Sequence, residues 1–295
     1  MQKLEQAGNL VNSLKVERPY SEPGIYLGTS AFTAAGWEGS FYPRGMQSRD
    51  FLTYYATQFR TVEVDSTFYR IPSASTVTGW YERAPTDFVF AAKVPQATTH
   101  EKVLVGARKE FEEFVDRMDI LDEKLGPLLL QFPYFNKKAF PSVGAFLERL
   151  RFFLRPLRDL KTCRFAVEIR NRNWLDARFA DMLRENNVVL VLSDQAWMPR
   201  PLEYFEKFDP ITADFTYIRW LGDRRGIEER TKTWDKTIID RTRELEEWVE
   251  ACRRFNQRNI AIFAFVNNHY AGHAPATAKL FQELWKDHSK CIVGE

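Results

Sequence analysis

Eight short runs of β-branched and aromatic residues recur along the chain with room for a helix between each, and this alternation constrains the fold more than any other feature. The runs occupy 25–30, 61–65, 88–93, 127–131, 165–169, 188–193, 215–220 and 260–266. Several are apolar at nearly every position, as in LLL at 128–130, VVLVL at 188–192 and IAIFAF at 260–265. A strand with one wet face alternates apolar with polar residues, whereas a strand covered on both faces reads as a continuous apolar run, so a parallel sheet is expected. Helical spacing fills the gaps at 51–59, 75–83, 107–121, 143–153, 178–185, 237–255 and 275–285. After the sixth strand Pro199, Pro201 and Pro210 interrupt the pattern and leave 202–208 ambiguous.

Eight strands alternating with helices predict one (β/α)8 TIM-barrel-like domain over 24–295, preceded by a polar arm at 1–23. The competing open, doubly wound sheet expects a glycine-rich phosphate turn after its first strand, and neither GxGxxG nor GxxxxGK[ST] follows 25–30, so no nucleotide cofactor motif is present. With 44% apolar and 15% aromatic residues the chain can bury a substantial core. Its 42 Lys and Arg against 40 Asp and Glu leave a net charge of +2, too little for a general pull towards nucleic acid or an anionic membrane. Three scattered cysteines, Cys163, Cys252 and Cys291, with no CxxC and no long apolar run, predict a cytoplasmic protein with no membrane partner.

The active sites of such barrels sit at the C-terminal ends of the strands. Those ends are polar throughout: Thr29 and Ser30, Glu63 and Asp65, Lys93 followed by His100, Gln131, Glu168 and Arg170, Ser193 and Asp194, Arg219, and finally Asn267, Asn268 and His269. Buried charges are costly unless paired, so their convergence points to a ligand site, with a salt-bridge network closing the barrel as the alternative. His100 and His269 are suited to acid or base work, or to capping loops, whereas His288 lies among charged residues of the last helix and reads as a surface group. Glu63, Glu168 and Asp194 are candidate ligands for a divalent metal, although no HxH, HExxH or DxD spacing accompanies them. As a glycosidase pair, Glu63 and Glu168 stand on strands two and five, nearly across the barrel, which is wide for a retaining mechanism. Lys93, Arg170 and Arg219 suit an anion, and the loop 222–234 is long enough to act as a lid. Trp37, Tyr42, Phe68, Tyr69, Phe132 and Trp174, near strand ends, are expected to wall the pocket.

Ordered motifs then carry a resemblance. They are GTS at 28–30, WEGSFYP at 37–43, TVEVDSTFYRIP at 61–72, FVFAAK at 88–93 with TH at 99–100, LGPLLLQFP at 125–133, FAVEIR at 165–170 with Trp174, and NN at 267–268 with 274–278. Together they resemble the DUF72 (YecE-like) family, which implies a TIM-barrel-like fold and supplies no reaction. Two stretches depart from the commoner pattern, SAF at 30–32 and WLGDRR at 220–225.

The expected function is an enzyme, hydrolase or isomerase, that takes a small polar, anionic substrate at the barrel mouth. Glu63, Glu168 and His100 are its candidate catalytic residues, and Lys93, Arg170, Arg219, Asn267, Asn268, Tyr69, Trp174 and Gln131 its candidate substrate contacts. The alternatives are a nucleic-acid-binding or processing protein, using aromatics and the arginines of 222–232, and a non-catalytic ligand sensor.

Overall fold

The computed structural model describes residues 24–159 and 163–292; the expected arm at 1–23 and the side chain of His288 lie outside the described residues. The eight strands are β1 (Ile25–Thr29), β2 (Thr61–Val64), β3 (Val89–Lys93), β4 (Leu125–Gln131), β5 (Arg164–Glu168), β6 (Val189–Asp194), β7 (Phe215–Trp220) and β8 (Ala261–Val266). They form one sheet in the order β1-β8-β7-β6-β5-β4-β3-β2, parallel at every ladder, which curls into a nearly closed barrel with helices outside.

The helices are α1 (Phe51–Gln58), α2 (Ala74–Arg83), α3 (Arg108–Met118), α4 (Val143–Leu154), α5 (Ala177–Glu185), α6 (Pro201–Lys207), α7 (Arg224–Glu228), α8 (Thr242–Gln257), α9 (Asn268–Ala271) and α10 (Ala274–Ile292). The ambiguous stretch after strand six is helical, because Pro201 stands in the first turn, where its missing N–H costs nothing. The long helix expected from residue 237 begins five residues later, after Asp240 accepts the Thr242 N–H at 2.9 Å. Among the described residues no helix is long and apolar enough to cross a membrane.

The seam lies between β1 and β2. Gly28 permits their approach, since a Cβ there would sit 2.1 Å from the Thr61 carbonyl oxygen. The buried Tyr55 hydroxyl, sent inward from α1, stitches the seam by accepting the Thr29 N–H at 2.8 Å and donating to the Thr61 carbonyl at 3.1 Å.

Period-two alternation sorts the strand residues into two cores. Outward residues such as Val62, Leu128, Val167 and Ile218 pack under the helices. Inward residues, among them Ala91, Ala166, Tyr217 and Phe265, fill the barrel. Two residues further along the same inward faces stand Lys93, Glu168, Arg219 and Asn267, so the alternation that builds the core also builds its polar cap.

Candidate functional site

The centre of that cap is the guanidinium of Arg219, whose side chain is 2% exposed. Its Nε and Nη2 donate to Glu63 Oε1 at 3.1 and 2.6 Å, its Nη1 donates to Glu168 Oε2 at 2.7 Å, and Nη2 lies 3.5 Å from Asp65 Oδ1. Tyr217, two residues earlier on the same strand face, donates its hydroxyl to Glu63 Oε2 at 2.6 Å. Glu63 and Glu168 are both 0% exposed. Strands β2 and β5 place the two carboxylates on separate sides of the barrel, and the fork of one arginine fills the space between them.

The two carboxyls differ electrostatically. Burial pushes Glu63 upward, and the charge of Asp65 adds to the push against the opposing pull of Arg219. Burial acts on Glu168 in the same direction, but Arg219 and Arg170 together outweigh it and hold that carboxyl below its ordinary range. Glu63 is therefore the first of the pair to take a proton, with Tyr217 hydrogen-bonded beside it.

Above this floor opens a cavity of about 1300 Å³. Its lining includes the cations Lys93, Arg170, Arg172, Lys207, Arg219 and Arg224 but, of the carboxylates, Asp65 alone. Partner carboxylates stand behind or beside the cations. Lys93 Nζ is 3.3 Å from Asp65 Oδ1 and 4.2 Å from the centre of the Phe68 ring. Arg170 gives Nε to Glu168 Oε1 at 2.9 Å, which leaves Nη1 and Nη2 uncommitted among the described residues. Arg172 and Lys207 share Glu203, at 2.6 and 3.7 Å.

His100 belongs to this group. Its Nδ1 lies 2.9 Å from Thr99 Oγ1 and its ring meets Phe68 edge to face at 4.9 Å. Burial, helped by the positive charges of Lys93 and Arg170, lowers its pKa to about 4, so the imidazole is neutral at physiological pH. On the opposite wall, His269 Nδ1 is 2.5 Å from Asn267 Oδ1 and Nε2 is 3.0 Å from Glu228 Oε1 on α7, and burial lowers its pKa as well.

Of the residues singled out in the sequence, Lys93, His100, Arg170, Arg219, Gln131, Tyr69, Asn267 and His269 meet around one cavity. Glu63 and Glu168 stand beneath it, outside the lining, and so do Trp174, Asn268 and Asp194. Trp174 is buried against Phe135 and Phe146. Asn268 accepts from Trp37 Nε1 at 3.2 Å and from the Ala274 N–H at 2.9 Å, at the start of α10. Asp194 accepts from Trp248 Nε1 at 2.7 Å and from the Tyr270 hydroxyl at 2.9 Å.

Glu63, Glu168 and Asp194 are not gathered round a common point, and no cluster of three metal-ligating side chains occurs among the described residues. Of the six aromatics expected to wall the pocket, Phe68 and Tyr69 do so, while Trp37, Tyr42, Phe132 and Trp174 are buried in the core. Sequence reasoning missed Tyr217, whose signal was its period-two spacing from Arg219. It also missed Tyr134, Gln195 and Trp197, which irregular loops deliver to the lining with no periodicity to mark them. In the segment expected as a lid, Arg224 and Arg225 pair with Glu228 and Glu229 at 2.9 and 3.2 Å, one turn along α7.

Comparison with known proteins agrees with this architecture. The chain is 33% identical over 127 residues to the UPF0759 protein YecE of Escherichia coli, a match spanning 43% of this chain and 44% of that relative. It is 26% identical over 283 residues to the UPF0759 protein YunF of Bacillus subtilis, covering 88% of this chain and 94% of the relative. The crystal structure of a DUF72 family protein from Thermotoga maritima superposes with a TM-score of 0.68 at 27% identity, covering 89% of this chain and 99% of that one. A D-tagatose 3-epimerase-like protein, at 10% identity and a TM-score of 0.54 over 91% of this chain and 100% of that one, shares the fold. The model of the family described as protein of unknown function DUF72 matches residues 26–294, and the chain belongs to that family.

Proposed function

We propose that this chain is an enzyme of the hydrolase or isomerase class whose substrate is a small polar anion, bound at the barrel mouth in a reducing cytoplasm. One observation carries the reading. Lys93 and Arg170 line the mouth cavity, each anchored from one side by a carboxylate, and among the described residues neither terminal nitrogen of Arg170 has a partner. A planar fork backed by a fixed carboxylate is organised in advance for a phosphate or carboxylate group.

Glu63 and Glu168, named from sequence as acid and base, act here as positioning residues, because each is wholly buried and turned to Arg219. Proton transfer falls to Asp65, the carboxylate on the lining, and to the neutral imidazole of His100. The expected metal role of Glu63, Glu168 and Asp194 has no shared coordination point to support it.

The test is calorimetric titration with inorganic phosphate and with a panel of phosphate monoesters and carboxylates, followed by turnover assays on those that bind. Arg170→Ala and Lys93→Ala are each expected to weaken binding about 10- to 100-fold, the worth of one charge-assisted hydrogen bond. Asp65→Asn is expected to remove turnover with little change in affinity. Unchanged affinity in both cation variants refutes the reading. Tight binding of single-stranded DNA that falls steeply with salt supports the nucleic-acid alternative instead.

A further inference from the structure

Large aromatic side chains in this protein are mostly buried, and the exceptions are concentrated. Among the described residues five large hydrophobic side chains are strongly exposed; Val105 and Phe152 lie away from the mouth cavity, while Tyr69 at 71%, Tyr134 at 67% and Trp197 at 49% line it. They follow β2, β4 and β6, three alternate strands, so the platforms are spread round the rim. Exposed aromatic side chains gathered on the lining of one cavity offer apolar contact to a ligand that enters it.

Between the platforms stand five carboxamides: Gln96, Gln131, Asn173, Gln195 and Asn267. Each offers both a donor and an acceptor, and their protein contacts leave much of that capacity unused. Among the described residues Gln131 commits only its amide nitrogen, to the Phe132 carbonyl at 2.7 Å. Asn267 commits only its oxygen, to His269, among the described residues. Gln195, 7% exposed, lies on the cavity wall, and its oxygen is buried with no partner among the described residues, so that oxygen meets a ligand only if the amide turns.

We propose that the anion bound here is carried on a carbohydrate: a sugar phosphate or a uronic-acid saccharide. The inference rests on the anion reading above and adds to it the class of molecule that bears the charge. A pyranose ring shows C–H groups on its faces and hydroxyls at its edge. The faces match aromatic platforms, and each hydroxyl, itself a donor and an acceptor, matches a carboxamide. A planar aromatic base would satisfy a few amides along one edge and leave the others idle. The cavity of about 1300 Å³ exceeds the roughly 300–1,000 Å³ of ordinary small-molecule sites, so it accommodates more than one sugar ring. The charged group sits at the floor, on Lys93 and Arg170, and the sugar extends outward between Tyr134 and Trp197.

Calorimetry on the intact protein with five probes tests this: inorganic phosphate, glucose, glucose 6-phosphate, trigalacturonic acid and adenosine 5′-monophosphate. Glucose 6-phosphate or trigalacturonic acid is expected to bind at least tenfold more tightly than phosphate, glucose or the nucleotide, and whichever does identifies the source of the charge. Trp197→Ala and Tyr134→Ala are each expected to weaken that sugar about three- to tenfold, as the loss of one aromatic contact implies, and to leave phosphate binding unchanged. Both residues are exposed, so neither variant threatens folding. Phosphate binding as tight as the better of the two charged sugars, or sugar binding indifferent to both variants, overturns the carbohydrate and leaves the anion site standing. Preference for the nucleotide also overturns it. Failure of every charged probe to bind overturns both readings together.

Discussion

Replacing Arg219 with leucine removes the cation that holds the barrel cap together while leaving two carboxylates, both 0% exposed, behind it. Breaking one side of a buried ion network typically costs about 3–5 kcal/mol, because the stranded charge has neither water nor partner. At roughly 2.1 cal/mol/K per residue, unfolding a chain of 295 residues has an entropy near 0.6 kcal/mol/K, so the expected fall in melting temperature is about 5–8 °C at pH 7. The loss carries a pH signature that distinguishes stranded charge from lost packing. In Arg219→Leu the folded pKa values of Glu63 and Glu168 both rise above the unfolded value of about 4.3. A carboxyl raised in the folded state binds a proton there more readily than in the unfolded chain. The variant is then least penalised below about pH 4.3, and its deficit against the parent widens as pH climbs through the raised values. Thermal melts of both proteins between pH 4.5 and 8 provide the assay. A second variant, Arg219→Leu with Glu63→Gln, is expected to recover part of the loss at pH 7. A deficit independent of pH, or below about 1 kcal/mol, refutes the view that Arg219 neutralises the floor.

Tyr55→Phe strands the Thr29 N–H and the Thr61 carbonyl at the β1/β2 seam; an expected loss of about 1–3 kcal/mol is measured by urea unfolding, with faster amide exchange at Thr29. Gly28→Ala forces a methyl against the Thr61 carbonyl, with an expected loss of about 1–3 kcal/mol by urea unfolding. His100 is expected to titrate near pH 4 by NMR and to rise once phosphate neutralises Lys93 and Arg170. Because its folded pKa lies below the unfolded value of about 6.5, its contribution to stability is complete above that pH and is lost as pH falls towards 4, an effect absent from His100→Gln.

The ring of strand-end polar residues is legible in the sequence because side chains alternate along a strand, so residues two apart must share a face. Tyr217 and Arg219, or Ala91 and Lys93, cannot do otherwise once those segments are strands. The helix Pro201–Lys207 was obscured for the opposite reason, since proline's meaning depends on whether it stands in a first turn or an interior. The roles of Asp194 and Asn268 were equally hidden. Each ends in a local hydrogen-bond set whose partners, Trp248 and Tyr270 or Trp37 and Ala274, come from distant or irregular chain.

Local pattern was enough for the parallel barrel, its family and the level at which its charges lie, because strand runs, helical spacing and ordered motifs are properties of contiguous residues. Closure of the barrel decided which charges face the cavity. Glu63, Glu168 and Arg219 come from β2, β5 and β7, none of them neighbours in the sheet, and they meet only when the strands curl round a common axis. Burial in that space then favours pairing, and Asp65, Lys93, His100 and Arg170 are left facing the cavity.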